Sequence, residues 1–285
     1  MTDPHPLVWA PADHQLAEGA RWVDGRLVHT DILTGRLFEL PAGSRDRREL
    51  LSLDVPLGAV APVAGRPGHW IAAAGTGIAL LAPDGGVEWL ARPEQDAATP
   101  ARMNDGVCDP RGRFWAGSLA YDTTPGAGSL YRTDPDGSVH RVLSGLTIVN
   151  GPAFGPDARE LFVADSAAGR ILRVGLDEAG DPRETEVFAQ VTEGEPDGMT
   201  VDTEGHLWVA VWGGGVIHRY APDGTLVARL PVPVPQPTSV CLHPDQGLLF
   251  VTSAAIGLAD PGLSGSLLAL PVDARGLPAT AYAAG

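Results

Sequence analysis

The stretch MNDGVCDPRGRFWAG, residues 103–117, sets a carboxylate or amide just before a glycine, then a Pro/Asp/Gly turn, then an apolar run. Two other stretches repeat the plan: VNGPAFGPDARELFVAD at 149–165 and PDGMTVDTEGHLWVA at 196–210. The apolar runs are short and bounded by turn residues, the pattern of strands. Their centres recur at Leu27, Trp70, Trp115, Phe162, Trp208 and Phe250, 42 to 47 residues apart. That interval is the length of a four-stranded propeller blade. A further strand follows in most units and ends in a turn, as in GIALLAPDGG and GVIHRYAPDGT. There Asp-Gly supplies the positive φ that tight turns need. Six units predict an all-β fold: a six-bladed β-propeller with four-stranded antiparallel blades. It is expected to be a single domain over residues 1–285, its ring closed by an N-terminal strand. RDRRELLSL, residues 45–53, is the best helical candidate, and it is short.

Composition narrows the function classes. A formal net charge of −15 argues against a nucleic-acid partner and against an anionic membrane surface. All 20 basic residues are arginine. A Schiff-base lysine, a P-loop lysine and a Ser-Lys nucleophile are therefore excluded. Cys108 and Cys241 stand far apart and form neither a disulfide framework nor a CxxC site. No run approaches the ~20 apolar residues of a membrane span. The opening MTDPHPLVWAPADHQ lacks the basic and apolar regions of a signal peptide. A cytoplasmic monomer is expected.

Aligning the units on their apolar runs gives the repeated acid or amide a meaning. Glu18 precedes the first run, Asp105 with Asn104 the third, Asn150 the fourth and Asp197 the fifth. The second and sixth units, GAVAP and QPTSV, carry no carboxylate there. Ring symmetry would bring Glu18, Asn150 and Asp197 together at one end of the central channel. Oxygen donors of this kind suit a hard or borderline cation such as Ca²⁺, Mg²⁺, Mn²⁺ or Zn²⁺. Without a cation, gathered carboxylates would repel one another.

The stretches RMNDGVCDPRGRFWAGSLAYD, IVNGPAFGPDARELFVADS and EPDGMTVDTEGHLWVA also resemble the senescence marker protein/regucalcin and gluconolactonase family of six-bladed propellers. The resemblance covers most of the chain. It implies one divalent cation held by Glu18, Asn150 and Asp197, with Ca, Zn, Mn and Fe left unranked. It also implies substrate contacts from Arg102 and Asn104. A further acidic contact falls on Asp122 in GSLAYD, where the family carries Glu. The activity implied is hydrolysis of small sugar lactones to aldonic acids.

That chemistry suits the parts. A cation polarises the lactone carbonyl. Asp197 is the candidate general base, and Arg102 could stabilise developing negative charge. Neither G-x-S-x-G nor H-E-x-x-H occurs. Trp70, Trp115 and Trp208 read as sheet packing, His206 and His243 as blade packing or surface, and Asp31 and Asp165 as hydrogen-bonding partners in the blades. His14, near Glu18, is a weaker candidate for the mouth. Two alternatives stay open: an aryl-ester or organophosphate hydrolase, which a more apolar mouth would favour, and a non-catalytic Ca²⁺-binding propeller.

Overall fold

The six apolar runs form the second strands of six sheets. They lie in Arg26–Asp31, Trp70–Ala74, Phe114–Ala120, Glu160–Asp165, Leu207–Trp212 and Leu248–Ser253. All are buried along nearly their whole length, because each sheet is packed on both faces, so they read as continuous apolar stretches. The computed structural model describes residues 6–285. The first five residues of the expected 1–285 unit lie outside the described residues.

Each sheet has four antiparallel strands, and in five of the six they follow chain order from the channel outward. The innermost strands are Ala17–Val23, Leu57–Pro62, Ala101–Cys108, Val149–Phe154, Glu195–Val201 and Pro237–Leu242, which define blades one to six. In the sixth blade the outermost strand is Leu7–Ala10, paired with Leu267–Pro271. The N-terminal strand thus closes the ring, as expected.

The apolar core is divided among the blade interfaces. Among the described residues there are six clusters, each between neighbouring blades. Phe162 and Val209 pack between blades four and five, and Leu27 and Phe250 between blades six and one. Polar side chains such as Glu18, Asn104, Asn150 and Asp197 are carried on the inner strands, at the centre of the ring.

RDRRELLSL corrects the sequence reading. Arg48–Ser52 is the outermost strand of blade one, paired with Arg36–Pro41. Its short helix-like pattern loses to strand pairing, which satisfies backbone groups that one isolated helical turn could not.

Two features position the site. All six inner strands lose register midway, between Glu18 and Arg21, Leu57 and Ala59, Met103 and Gly106, Asn150 and Ala153, Pro196 and Met199, and Pro237 and Val240. Such bulges re-aim side chains that a regular ladder would hold in its pleat. At the other end of the ring, Arg275–Gly285 runs from blades five and six to blades two and three. Gly276 bridges Asp202, Tyr282 bridges Val63, and Ala283 donates its N–H to the Gly112 carbonyl.

Candidate metal and substrate site

Five of the six expected site residues line one cavity of about 230 Å³: Glu18, Arg102, Asn104, Asn150 and Asp197. All five are buried, the most exposed at 7%. They come from blades one, three, four and five, at or beside the bulges. Gly151 shows why glycine stands beside Asn150. Its φ is +52°, and a Cβ there would lie 2.6 Å from the Asp197 carbonyl oxygen. Gly58 serves the same close approach in blade two, where a Cβ would meet the Asn104 carbonyl at 2.2 Å.

A directional chain of hydrogen bonds ties three blades. Arg102 donates to Asn104 Oδ1 at 2.6 Å. Asn104 Nδ2 donates to Asn150 Oδ1 and, at 3.0 Å, to the Val149 carbonyl. Asn150 Nδ2 donates to Ser166 Oγ at 3.0 Å, and the Ser166 hydroxyl donates to the Pro196 carbonyl at 2.6 Å. The chain orients both amides and leaves Asn150 Oδ1 a second lone pair.

The electrostatics fit a cation. Burial raises the Glu18 carboxyl well above its usual range, and the neighbouring Asp197 and Asp105 raise it further. Burial also raises Asp197 well above its usual range, with Asp105 and Glu195 adding to it and Glu18 and Arg102 opposing. Burial lowers Arg102, while Tyr121, Glu18 and Asp197 favour its charge. Two facing acids and an amide oxygen form a hard donor set for a divalent cation, which would relieve their repulsion. Glu18, Asn150 and Asp197 would hold it.

Asp105 has a different task. Its Oδ1 accepts from Gly106 N–H at 2.7 Å and from Arg21 at 3.4 Å, and its Oδ2 accepts from Gly151 N–H at 3.0 Å. It braces two bulges and does not line the cavity. Asp122 also lies elsewhere. It is exposed, and its Oδ1 accepts from the Thr124 N–H at 3.0 Å and hydroxyl at 2.7 Å. The structure does not bring it to the other five; its short side chain turns the 121–127 loop instead.

Four features of the cavity escaped the sequence reading. Leu16, Ile32, Leu119 and Ile148 make part of its wall apolar. Ser166, Glu195 and Trp212 also line it. Ser166 directly follows the Asp165 position, and Glu195 stands two residues before Asp197, but neither recurs from blade to blade. Only the bulges, invisible in sequence, mark this depth.

A second group of ligand-type side chains, Asp202, Glu204 and His206, lies in the hairpin at the other end of blade five. It already holds an internal cation. Arg219 lies 2.8 Å from Asp202 Oδ2, 3.5 Å from Glu204 Oε2 and 3.2 Å from His206 Nδ1. Asp202 Oδ2 also accepts the Trp208 indole N–H at 3.0 Å, as Asp109 Oδ2 does from Trp115. These acids lock hairpins.

Residues 16–255 match the family described as SMP-30/Gluconolactonase/LRE-like region. The chain belongs to that family. The matched region contains Glu18, Arg102, Asn104, Asn150 and Asp197 and stops short of the C-terminal strap. Pentonolactonase XacC of Haloferax volcanii is 35% identical over 282 residues, covering 93% of each chain. The 6-deoxy-6-sulfogluconolactonase of Pseudomonas putida is 34% identical, covering 88% of each. Among solved structures, regucalcin of Agrobacterium tumefaciens, described as a calcium-binding protein, superposes with a TM-score of 0.88 at 30% identity. That superposition covers 96% of this chain and 95% of the other.

Proposed function

We propose that this protein is a metal-dependent lactonase that opens sugar-derived lactones to aldonic acids. The observation that carries the reading is the convergence of Glu18, Asn150, Asp197, Arg102 and Asn104 from four blades on one small cavity. The lactonase names of the two curated relatives point the same way. A divalent cation held by Glu18, Asn150 and Asp197 would supply Lewis-acid polarisation of the lactone carbonyl. Arg102, buried and tied to Met103 and Asn104, can place an N–H on the carbonyl oxygen as negative charge develops. Asp197 is the base. Water adds to the carbonyl carbon while its proton passes to Asp197. The tetrahedral oxyanion then collapses, the ring C–O bond breaks, and the proton returns to the leaving alkoxide oxygen. No covalent enzyme intermediate is required.

The apolar wall favours a second reading, hydrolysis of aryl esters or organophosphates on the same scaffold. A pH-stat panel of aldonolactones, phenyl acetate and a phosphotriester, run with and without chelator, separates the two. Chelator-sensitive acid release from aldonolactones, absent or far slower from the others, is expected. Release from no lactone sinks the reading. Asp197→Ala is expected to lower turnover by at least about 10²-fold while the circular dichroism spectrum is retained. A variant keeping most of its activity would remove Asp197 from the mechanism.

A further inference from the structure

Resting on that reading, we propose that Glu195 and Trp212 form the edge of the site that recognises the hydroxyls and ring face of the substrate, and so set a preference for polyhydroxylated lactones. The two are register partners at the start of the inner hairpin of blade five, and both line the cavity. Both are also uncommitted. Trp115 and Trp208 donate their indole N–H to buried acids, and Trp9 and Trp22 pack on aromatic rings. Among the described residues Trp212 has neither kind of partner, and it is only partly buried. Glu193, two residues earlier, is spent on His218 and Arg229. Glu195 is exposed, and among the described residues its side chain makes no hydrogen bond or ion pair.

The chemistry of the neighbours decides what such a pair could bind. An unpaired acid beside Leu16, Ile32 and Ile148 would penalise an apolar acyl or aryl group, which would desolvate the carboxylate without replacing its hydrogen bonds. A polyol reverses the sign. Two carboxylate oxygens accept from adjacent hydroxyls, and the C–H face of the sugar ring can lie against the indole. With the carbonyl toward Arg102 and Asp197, the hydroxyl-bearing edge of a small lactone would face Glu195, which lines the same cavity.

The test compares kcat/KM for glucono-δ-lactone with that for unsubstituted δ-valerolactone, in the wild type, Glu195→Ala, Glu195→Gln and Trp212→Ala. The ratio is expected to fall on the order of tenfold in Glu195→Ala, mainly through KM, because a hydrogen-bonding site rejects the analogue that lacks the hydroxyls. Glu195→Gln should recover part of the loss, and Trp212→Ala should shift the ratio in the same direction. An equal loss on both lactones, or no loss, overturns the proposal. Calorimetric binding of anhydroglucitol, a polyol ring with no carbonyl to attack, reads the same contact without turnover. Wild-type binding weakened about tenfold by Glu195→Ala supports the assignment. Absent wild-type binding, or binding the variant leaves unchanged, overturns it. Should the wild type open neither lactone, the lactonase reading fails, and the binding arm still decides the role of Glu195.

Discussion

Ser166 shows how much of this site depends on side chains that need touch neither substrate nor cation. Its hydroxyl accepts from Asn150 and donates to Pro196, the residue before Asp197. Ser166→Ala should therefore leave the Asn150 amide held through Asn104 alone and weaken divalent-cation affinity about tenfold, as loss of an outer-shell partner typically does. Titration calorimetry with Ca²⁺ or Mn²⁺ checks this; unchanged affinity would show that the amide is held without the serine. The sequence reveals Glu18, Asn150 and Asp197 because each sits beside a repeated strand signal. Family resemblance adds Arg102 and Asn104. The same reasoning places Asp122 in the site, but its carboxylate is consumed by Thr124. Glu195 and Trp212 stay hidden because they occur in one blade only, so no periodicity marks them.

The hairpins and strands were more legible than the depth at which they open. Asp109 with Trp115, and Asp202 with Trp208, tie the turn of an inner hairpin to the ring packed above it. His243 takes the same place in blade six, where its Nδ1 accepts the N–H groups of Asp245 and Gln246 at 3.0 Å. The structural readings of His206, His243, Asp31 and Asp165 have definite partners: Arg219 lies against His206, Asp31 Oδ1 accepts from the Leu16 N–H at 3.0 Å, and Asp165 Oδ1 accepts from the Thr147 N–H at 3.0 Å. His14 belongs with them. It lies between blade-one groups, with Nε2 2.9 Å from Arg47 and 3.0 Å from His29 Nε2, and Nδ1 3.5 Å from Asp31. With Arg47 donating to His14 Nε2, His29 donates there through its own Nε2–H. Burial, then His14 and Arg47, holds His29 well below its usual value of 6.5, with Asp31 opposing. The unfolded chain takes up a proton as pH falls through about 6.5, while the folded state does not. Stability from this group is therefore complete above that pH and is lost below it. His29→Phe should lose less stability than the wild type between about pH 7 and pH 5, measured by urea denaturation. Equal slopes would mean that His29 titrates freely in the folded protein.

The ring as a whole turns weakly informative strands of four blades into one site, because rotation about the channel gathers residues distant in sequence. A cation bound there would link blades one, four and five at once. At about 100-fold excess over Kd, binding should add about 2.7 kcal/mol to stability and raise the melting temperature by several degrees. Chelator should reverse the rise, and Asp197→Asn should abolish it. An identical rise in that variant would place the ion elsewhere. The C-terminal strap has a practical meaning for anyone handling this protein. Gly285 finishes against Pro135 in the outer hairpin of blade three, at the end of the ring opposite Glu195 and Trp212. A fluorophore, bead or fusion partner attached at Gly285 would face the rear. Reagents would then approach the front unobstructed, whereas an attachment in the 121–127 loop would crowd their way in.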